Sequence, residues 1–449
     1  MDLSHGQQHL PEIPQDTDKG RRMSAEGTQP RLTEIDLSDI GFWSRPAGEQ
    51  HAAFAVLREQ DRPVFFAEPK FPLLKQGPGY YALTRYADVV EASRQPEIFS
   101  NEPCSNTVVD MPKYMARYFG SMINMDDPRH ARLRRIVSRS FTPRRLSALE
   151  DDIRRTAREI VDDMARRGPG DFVSGAAAQL PIRVICTMMG IGEGRHEELL
   201  AHTNVILAGY DPEYLGGEID LSLTASVRML GRWYSAGRRL HGLAMRLART
   251  RRRRPSGDLT SALVHANMDG ERLSTQELGA FFILLVVAGA ETTRNAIAHG
   301  LKLLTDHPEQ RALLMSDFER HIPGAVEEIV RFASPVIQFR RTLTRDYEMN
   351  GHRFRRGDKV LLFYPSANRD GTVFERPDEF DITRSPNPHV GFGGPGPHYC
   401  LGANLARQEI KIMFREVLHR FPDIRAVGEP TPLWSNFVNG IKRMDYEFS

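Results

Sequence analysis

Residues 391–397 read Gly-Phe-Gly-Gly-Pro-Gly-Pro, and Cys400 follows three positions later. Four glycines and two prolines in seven positions can continue neither a strand nor a helix, so this stretch must be a loop. Such a loop lets the backbone approach something closely. Beyond it, Leu401, Leu405, Gln408 and Ile412 recur at helical spacing. The loop therefore delivers a cysteine to the start of a helix, where unpaired N–H groups and the helix dipole favour a thiolate. That suits a nucleophile or a metal ligand. The other two cysteines read as small buried hydrophobes, Cys186 most plainly because it ends the apolar run 181–186.

The chain has 449 residues, 40% hydrophobic and 26% charged, enough for a large globular core. A net charge of +2 indicates no strong field for nucleic acid or membranes. Three cysteines without an apolar leader point to a reducing, cytoplasmic setting. The longest unbroken apolar run, 281–290, is too short for a transmembrane anchor. Residues 1–34 are rich in Gln, Asp, Gly, Pro and Arg and read as a flexible tail. Residues 35–449 show no repeat and no dividing linker, so one α-rich domain is expected.

Along that domain, 63–66 and 80–84 read as strands, 85–95 as a helix and 100–119 as an aperiodic, ligand-facing loop. Asp127 and Pro128 open a helix in which His130 and Arg134 share a face and can grip one anion. By itself this is a solvated basic face. The run from Arg246 to Arg254 reads as a solvated turn, with a partner-docking patch as the weaker alternative. Ser274 caps a long helix from Thr275, apolar all round over 281–290 and hence central and buried. Gly289, Glu291 and Thr292 break that pattern. A threonine hydroxyl can bond back to the preceding turn and open the helix, and a buried carboxyl is costly unless paired or used. Glu328 and Arg331 are three apart on a further helix and can pair. Strands are expected over 336–343 and 352–362, the latter as a hairpin turning at Gly357-Asp358, with a final hairpin at 437–441.

Four of these pieces occur in one order: His130-x-x-x-Arg134, Ala288-Gly289-x-Glu291-Thr292-Thr293, Glu328-x-x-Arg331 and the Cys400 loop. Together they resemble the cytochrome P450 family, and the resemblance runs from residue 35 to the end. It implies a mainly α fold with small β-sheets, a triangular helical prism with a long central helix. Haem b would lie between that helix and the one after the cysteine. It implies that Cys400 is the axial thiolate on the iron, with backbone N–H groups after it, at Gly402, tuning the sulfur. His130, Arg134, Arg341 and His398 match the positions that hold the haem propionates. Phe392, Ala288 and Gly289 would border the haem. Glu328, Arg331 and Arg384 would form a buried bracing network. Glu291 and Thr292 match the acid–alcohol pair that delivers protons during activation of O2. Electrons would come from NAD(P)H through a ferredoxin reductase and a ferredoxin docking near Arg135, Arg139 and the Cys400 loop. A monomer is expected.

In the family the loop aromatic usually lies seven residues before the cysteine, whereas Phe392 lies eight before it. A bacterial subset shares this longer form, and it hydroxylates methyl-branched fatty acids, isoprenoid alcohols and sterol side chains at a terminal carbon. Resemblance to substrate-recognition segments places Val108, Met111, Ile206, Leu207, Ile283, Val287, Val336, Ile337, Phe339, Phe437 and Val438 around a hydrophobic substrate. Three readings stay open: terminal hydroxylation of such a lipid, tailoring of a macrolide, polyketide or terpenoid, and a haem-thiolate protein that does not activate oxygen.

Overall fold

A computed structural model describes residues 29–112, 114–138, 141, 143–207, 211–215, 222–266 and 272–449. Of the tail expected over 1–34, residues 1–28 lie outside the described residues, as does Arg139. Residues Leu32–Glu34, within that expected tail, form a 3-10 turn in which the Glu34 carboxylate accepts from the Arg31 N–H at 2.9 Å.

The helices in chain order are α1 (Ala47–Arg58), α2 (Tyr86–Arg94), α3 (Ala116–Phe119), α4 (Arg129–Ser138), α5 (Pro143–Arg167), α6 (Gln179–Met189), α7 (His196–Leu207), α8 (Pro212–Leu215), α9 (Leu223–Arg253), α10 (Leu259–His265), α11 (Thr275–Asp306), α12 (Pro308–Ser316), α13 (Phe318–Ala333), α14 (Tyr364–Ala367) and α15 (Ala403–Arg420). The strands are β1 (Val64–Phe66), β2 (Tyr80–Leu83), β3 (Phe99–Ser100), β4 (Gly170–Asp171), β5 (Gln338–Leu343), β6 (Tyr347–Met349), β7 (His352–Phe354), β8 (Lys359–Phe363), β9 (Arg425–Pro432) and β10 (Ile441–Glu447).

The main core forms around α11. Its start is fixed by a capping box: Ser274 Oγ accepts from the Glu277 N–H at 3.2 Å, and the Glu277 carboxylate accepts from the Ser274 N–H at 2.8 Å. At about 1.5 Å per residue it spans roughly 48 Å, and α5, α6, α9, α13 and α15 bury their apolar faces on it or on one another. By length and composition α11 could cross a membrane, but 67% of its most apolar stretch is buried inside the protein, as for a core helix.

Five strands make the larger sheet in the order β1-β2-β8-β5-β3, with β2 and β8 parallel and the other pairs antiparallel. Its outer face packs on the first helices through Phe42, Trp43, Phe54 and Phe363. The hairpin expected at Gly357-Asp358 is absent. The tight turn lies earlier, at Asn350-Gly351, where both residues have positive φ (50° and 68°) and join β6 to β7. Gly357 instead redirects the chain from that ribbon into β8 of the large sheet. The last hairpin is real but longer than expected. β9 and β10 are its strands, and 437–441 belongs mostly to their connection.

Candidate functional site

The Cys400 loop is closed by its own backbone. The N–H of Cys400 donates to the Phe392 carbonyl at 2.9 Å, and that of Gly393 to Val390 at 2.9 Å. The extra residue between Phe392 and Cys400 is absorbed within this closed loop. α15 begins at Ala403, two residues later than the apolar spacing suggested, so Leu401 and Gly402 belong to the approach. The Cys400 side chain faces an internal cavity of about 380 Å³. Its exposure is to that cavity, and burial raises the thiol pKa while the Gly402 N–H, Arg134 and Arg407 lower it.

Outside the loop, Glu327 takes His389 Nε2 at 2.9 Å and Arg407 Nε at 2.5 Å. The Arg407 guanidinium lies 4.4 Å from the centre of the Phe392 ring. The hydrogen bonds from His389 and Arg407 hold the Glu327 carboxyl down at about 2 against the cost of burial. Beside this clamp, Arg331 and Glu328 are fully buried and joined by two bonds of 2.8 and 2.7 Å. Arg331 also donates to the carbonyls of Asn368, Pro377 and Glu379, and Glu328 accepts from Asp381 N, Asn387 and Arg384. Every charge here is matched, which is the condition for a buried ion pair to be tolerated. Asn368 links the network to the loop by accepting from the Val390 N–H at 2.8 Å. Glu327, His389, Asn368 and Arg407 were missed in the sequence, although His389 and Arg407 flank the cysteine loop directly.

Four cation-forming side chains gather near the cysteine. His130 stacks on His398 with ring centres 4.0 Å apart, Arg134 donates to the Tyr399 carbonyl at 2.6 Å, and Arg341 is buried on β5. Burial and the neighbouring Arg341, His130 and Arg134 push His398 down to about 2. His130 Nε2 is buried with no partner, and among the described residues neither Arg134 nor Arg341 forms a salt bridge with an acid. The positive charge of Arg134 and Arg341 at the cavity, without an acidic partner and beside two imidazoles, fits an anionic ligand, as the two propionates of haem would be. An available thiol on the cavity wall fits its iron.

On the opposite wall α11 is continuous. The Thr292 hydroxyl donates to the Ala288 carbonyl at 2.8 Å, as its position suggested, without interrupting the helix. Ala288, Gly289 and Thr292 line the cavity. A Cβ at Gly289 would lie 2.8 Å from Cδ1 of Ile185, so the glycine lets α6 pack closely on α11. Glu291 is not on the cavity wall. It is buried toward α7, where Thr203 donates to it at 3.2 Å and Arg294 pairs with it at 2.5 Å. Burial raises its pKa, with Arg294 and Thr203 opposing.

Of the expected substrate contacts, Val108, Met111, Ile206, Leu207, Ile283, Val287, Val336, Phe339, Phe437 and Val438 all line the cavity. Ile337 does not. Alternation along the chain turns it into the core with Val108, Leu361 and Phe363. Not foreseen were Phe71 and Leu74, Met229, Leu230 and Trp233 of α9, and Glu409. Glu409 is a buried acid whose Oε2 has no partner and whose pKa burial raises well above its ordinary value.

Comparison with known proteins fits this geometry. Residues 71–444 match the family described as Cytochrome P450. A methyl-branched lipid omega-hydroxylase of Mycobacterium tuberculosis is 47% identical over 421 residues, covering 93% of this chain and 95% of that protein. A steroid C26-monooxygenase of Mycolicibacterium smegmatis is 39% identical over 377 residues, covering 83% of this chain and 84% of its own length. The solved structure of a Mycobacterium marinum cytochrome P450 in complex with pseudoionone superposes with a TM-score of 0.87 at 41% identity, covering 95% of this chain and 100% of that one. Membership carries a haem and an external supply of electrons. The chain belongs to the cytochrome P450 family and is a monooxygenase.

Proposed function

We propose that the enzyme hydroxylates the terminal methyl carbon of a methyl-branched lipid, an isoprenoid or a sterol side chain. The observation that carries this reading is the identity of 47% along 93% of the chain with a protein named for that reaction. The cavity supports it, since Val108, Met111, Leu207, Val287, Phe339 and Phe437 present an apolar wall to the space above Cys400. Terminal C–H bonds are stronger than internal ones, so the site must win by positioning, holding the chain end near the reacting centre and its interior away.

In this reading Cys400 Sγ holds the iron and the Gly402 N–H hydrogen-bonds the sulfur. Arg134, Arg341, His398 and the unpartnered Nε2 of His130 hold the propionates. Haem supplies the one-electron and oxygen chemistry, which its thiolate ligand favours toward O–O cleavage. Thr292 Oγ1 is the hydroxyl on the cavity wall and serves proton delivery by turning from the Ala288 carbonyl, to which it now donates, while Glu291, held by Thr203 and Arg294 on the α7 side of α11, joins it only by leaving that pair. Glu328, Arg331 and Arg384 keep the loop in place. A ferredoxin, reduced by NAD(P)H through its reductase, docks beside exposed Arg135 and the Cys400 loop. The enzyme works as a cytoplasmic monomer.

The test is product analysis with phytanic acid, farnesol and cholest-4-en-3-one in the presence of a ferredoxin pair. Terminal alcohols are expected, and exclusively internal alcohols would sink the proposal. Cys400→Ser is expected to lose the long-wavelength carbon monoxide band of the reduced protein. Its retention would remove Cys400 from the iron.

A further inference from the structure

Charge is nearly balanced over the whole chain, with 60 Lys and Arg against 58 Asp and Glu. It is not balanced along α9. That helix, 31 residues from Leu223 to Arg253, carries nine arginines and no acid. Among the described residues only Arg251 has an acidic partner, Asp258 beyond the helix end. Arg232 donates to the Tyr214 carbonyl.

Helical spacing sorts the exposed side chains into two stripes. Arg228, Arg232, Arg239 and Arg246 follow one another at four, seven and seven residues and fall on one ridge. Arg238 and Arg249 lie beside it. Leu223, Val227 and Tyr234 fall along the other edge of the exposed face, and all three are exposed at 56%, 56% and 41%. Like charges this close repel and cost helix stability, so the arrangement favours an anionic surface that neutralises it. A basic amphipathic face with apolar residues at its edge matches the interfacial region of an anionic bilayer, where guanidinium groups meet phosphates and the apolar side chains enter the acyl boundary.

The inner side of the same helix gives Met229, Leu230 and Trp233 to the cavity wall. Leu73, exposed at 44%, sits between Phe71 and Leu74, which line that cavity too. An electron donor is the wrong occupant. It must approach the cysteine, and the Cys400 loop is held by α2, α4 and α13, whereas α9 packs on α3, α7, α10 and α11.

We propose that α9 docks the enzyme on an anionic phospholipid bilayer, bringing the α9 wall of the cavity to the source of its substrate. The loading role rests on the lipid reading above. The docking itself does not, and it is measured without turnover.

The experiment sediments the haem-loaded protein with vesicles of phosphatidylcholine alone or mixed with phosphatidylglycerol. Binding is expected with the mixed vesicles and is expected to fall as salt rises. At about fivefold per arginine, Arg228→Gln/Arg232→Gln/Arg239→Gln weakens it roughly 100-fold. Leu223→Ser/Val227→Ser weakens it at low and high salt alike. Should the triple variant lose its haem spectrum, the salt titration of the unaltered protein and the Arg238→Gln/Arg249→Gln pair decide instead. Equal sedimentation with both vesicles, or undiminished binding by the folded variants, overturns the proposal. So does an acidic acyl carrier protein that binds through these arginines while anionic vesicles fail to compete.

Discussion

The two walls of the cavity are built on opposite principles. Beneath it, the cysteine loop is held by charges that each have a partner: Glu328 with Arg331 and Arg384, Glu327 with His389 and Arg407. Across from it, the wall is assembled from side chains of separate stretches, around 71–74, 106–112 and 206–207 and from α9, α11, β5 and the β9–β10 connection, that are mostly apolar, with a few polar ones such as Asn106 and Thr292 among them. Fixed charge geometry cannot shift without stranding a buried charge, so the cysteine is held rigidly. An apolar wall tolerates exchange of side chains at modest cost, so it can be reshaped for another substrate while the chemistry beneath stays in place.

The strongest way to break this contrast is Glu328→Ala. It strands Arg331, which is 0% exposed, and is expected to destabilise the protein by about 3–5 kcal/mol. Thermal unfolding measures it, and any protein that folds should give an unchanged ratio of terminal to internal alcohol. Next is Thr292→Ala, at the boundary between the walls. Loss of a positioned hydroxyl is expected to lower kcat on the order of 100-fold with little change in melting temperature, and Thr292→Ser is expected to recover most of it. Equal kcat for Thr292→Ala and the parent would remove Thr292 from proton delivery.

Glu327 sharpens the comparison through pH. Its carboxyl is held at about 2, below the ordinary 4.5, so its stabilisation is present above 4.5 and is lost as pH falls from there toward 2. Allowing for its partial exposure, about 2 kcal/mol is at stake. Glu327→Gln should flatten the acid limb of a stability–pH curve by that amount, and an unchanged limb would mean the clamp contributes little. The smallest effect is expected on the apolar wall. Val287→Ala should cost about 1 kcal/mol of stability, while the terminal-to-internal product ratio falls severalfold. If stability moves more than regiochemistry, the wall is structural after all.

These contrasts also explain what could be read from the sequence. The glycine-proline run, the Ser274 cap and the apolar middle of α11 are local signals, and the structure keeps each. Glu291 and Thr292 looked like a pair because they are adjacent. Neighbours on a helix point about 100° apart, so one faces the cavity and the other α7. Ile337 failed in the same way on an extended segment, where side chains alternate. Gly357 looked like a hairpin turn because local chemistry marks a turn but not the strand that the chain pairs with afterwards. Asn368 and Glu327 lie far along the chain from Cys400 and carry no motif, so only folding brings them to the loop.

The glycines of the loop have one more consequence. A Cβ on Gly394 would collide with the Ser93 side chain and one on Gly396 with the Ser93 carbonyl, at the last turn of α2. The loop thus rests its backbone directly on that helix end, with no side chain of its own between. α2 is therefore a third support of the sulfur, beside the two charge networks: its last turn sets how closely the loop carrying Cys400 can settle. A bulkier residue at position 93, which borders the cavity from the α2 side, would have to displace the Cys400 loop to fit.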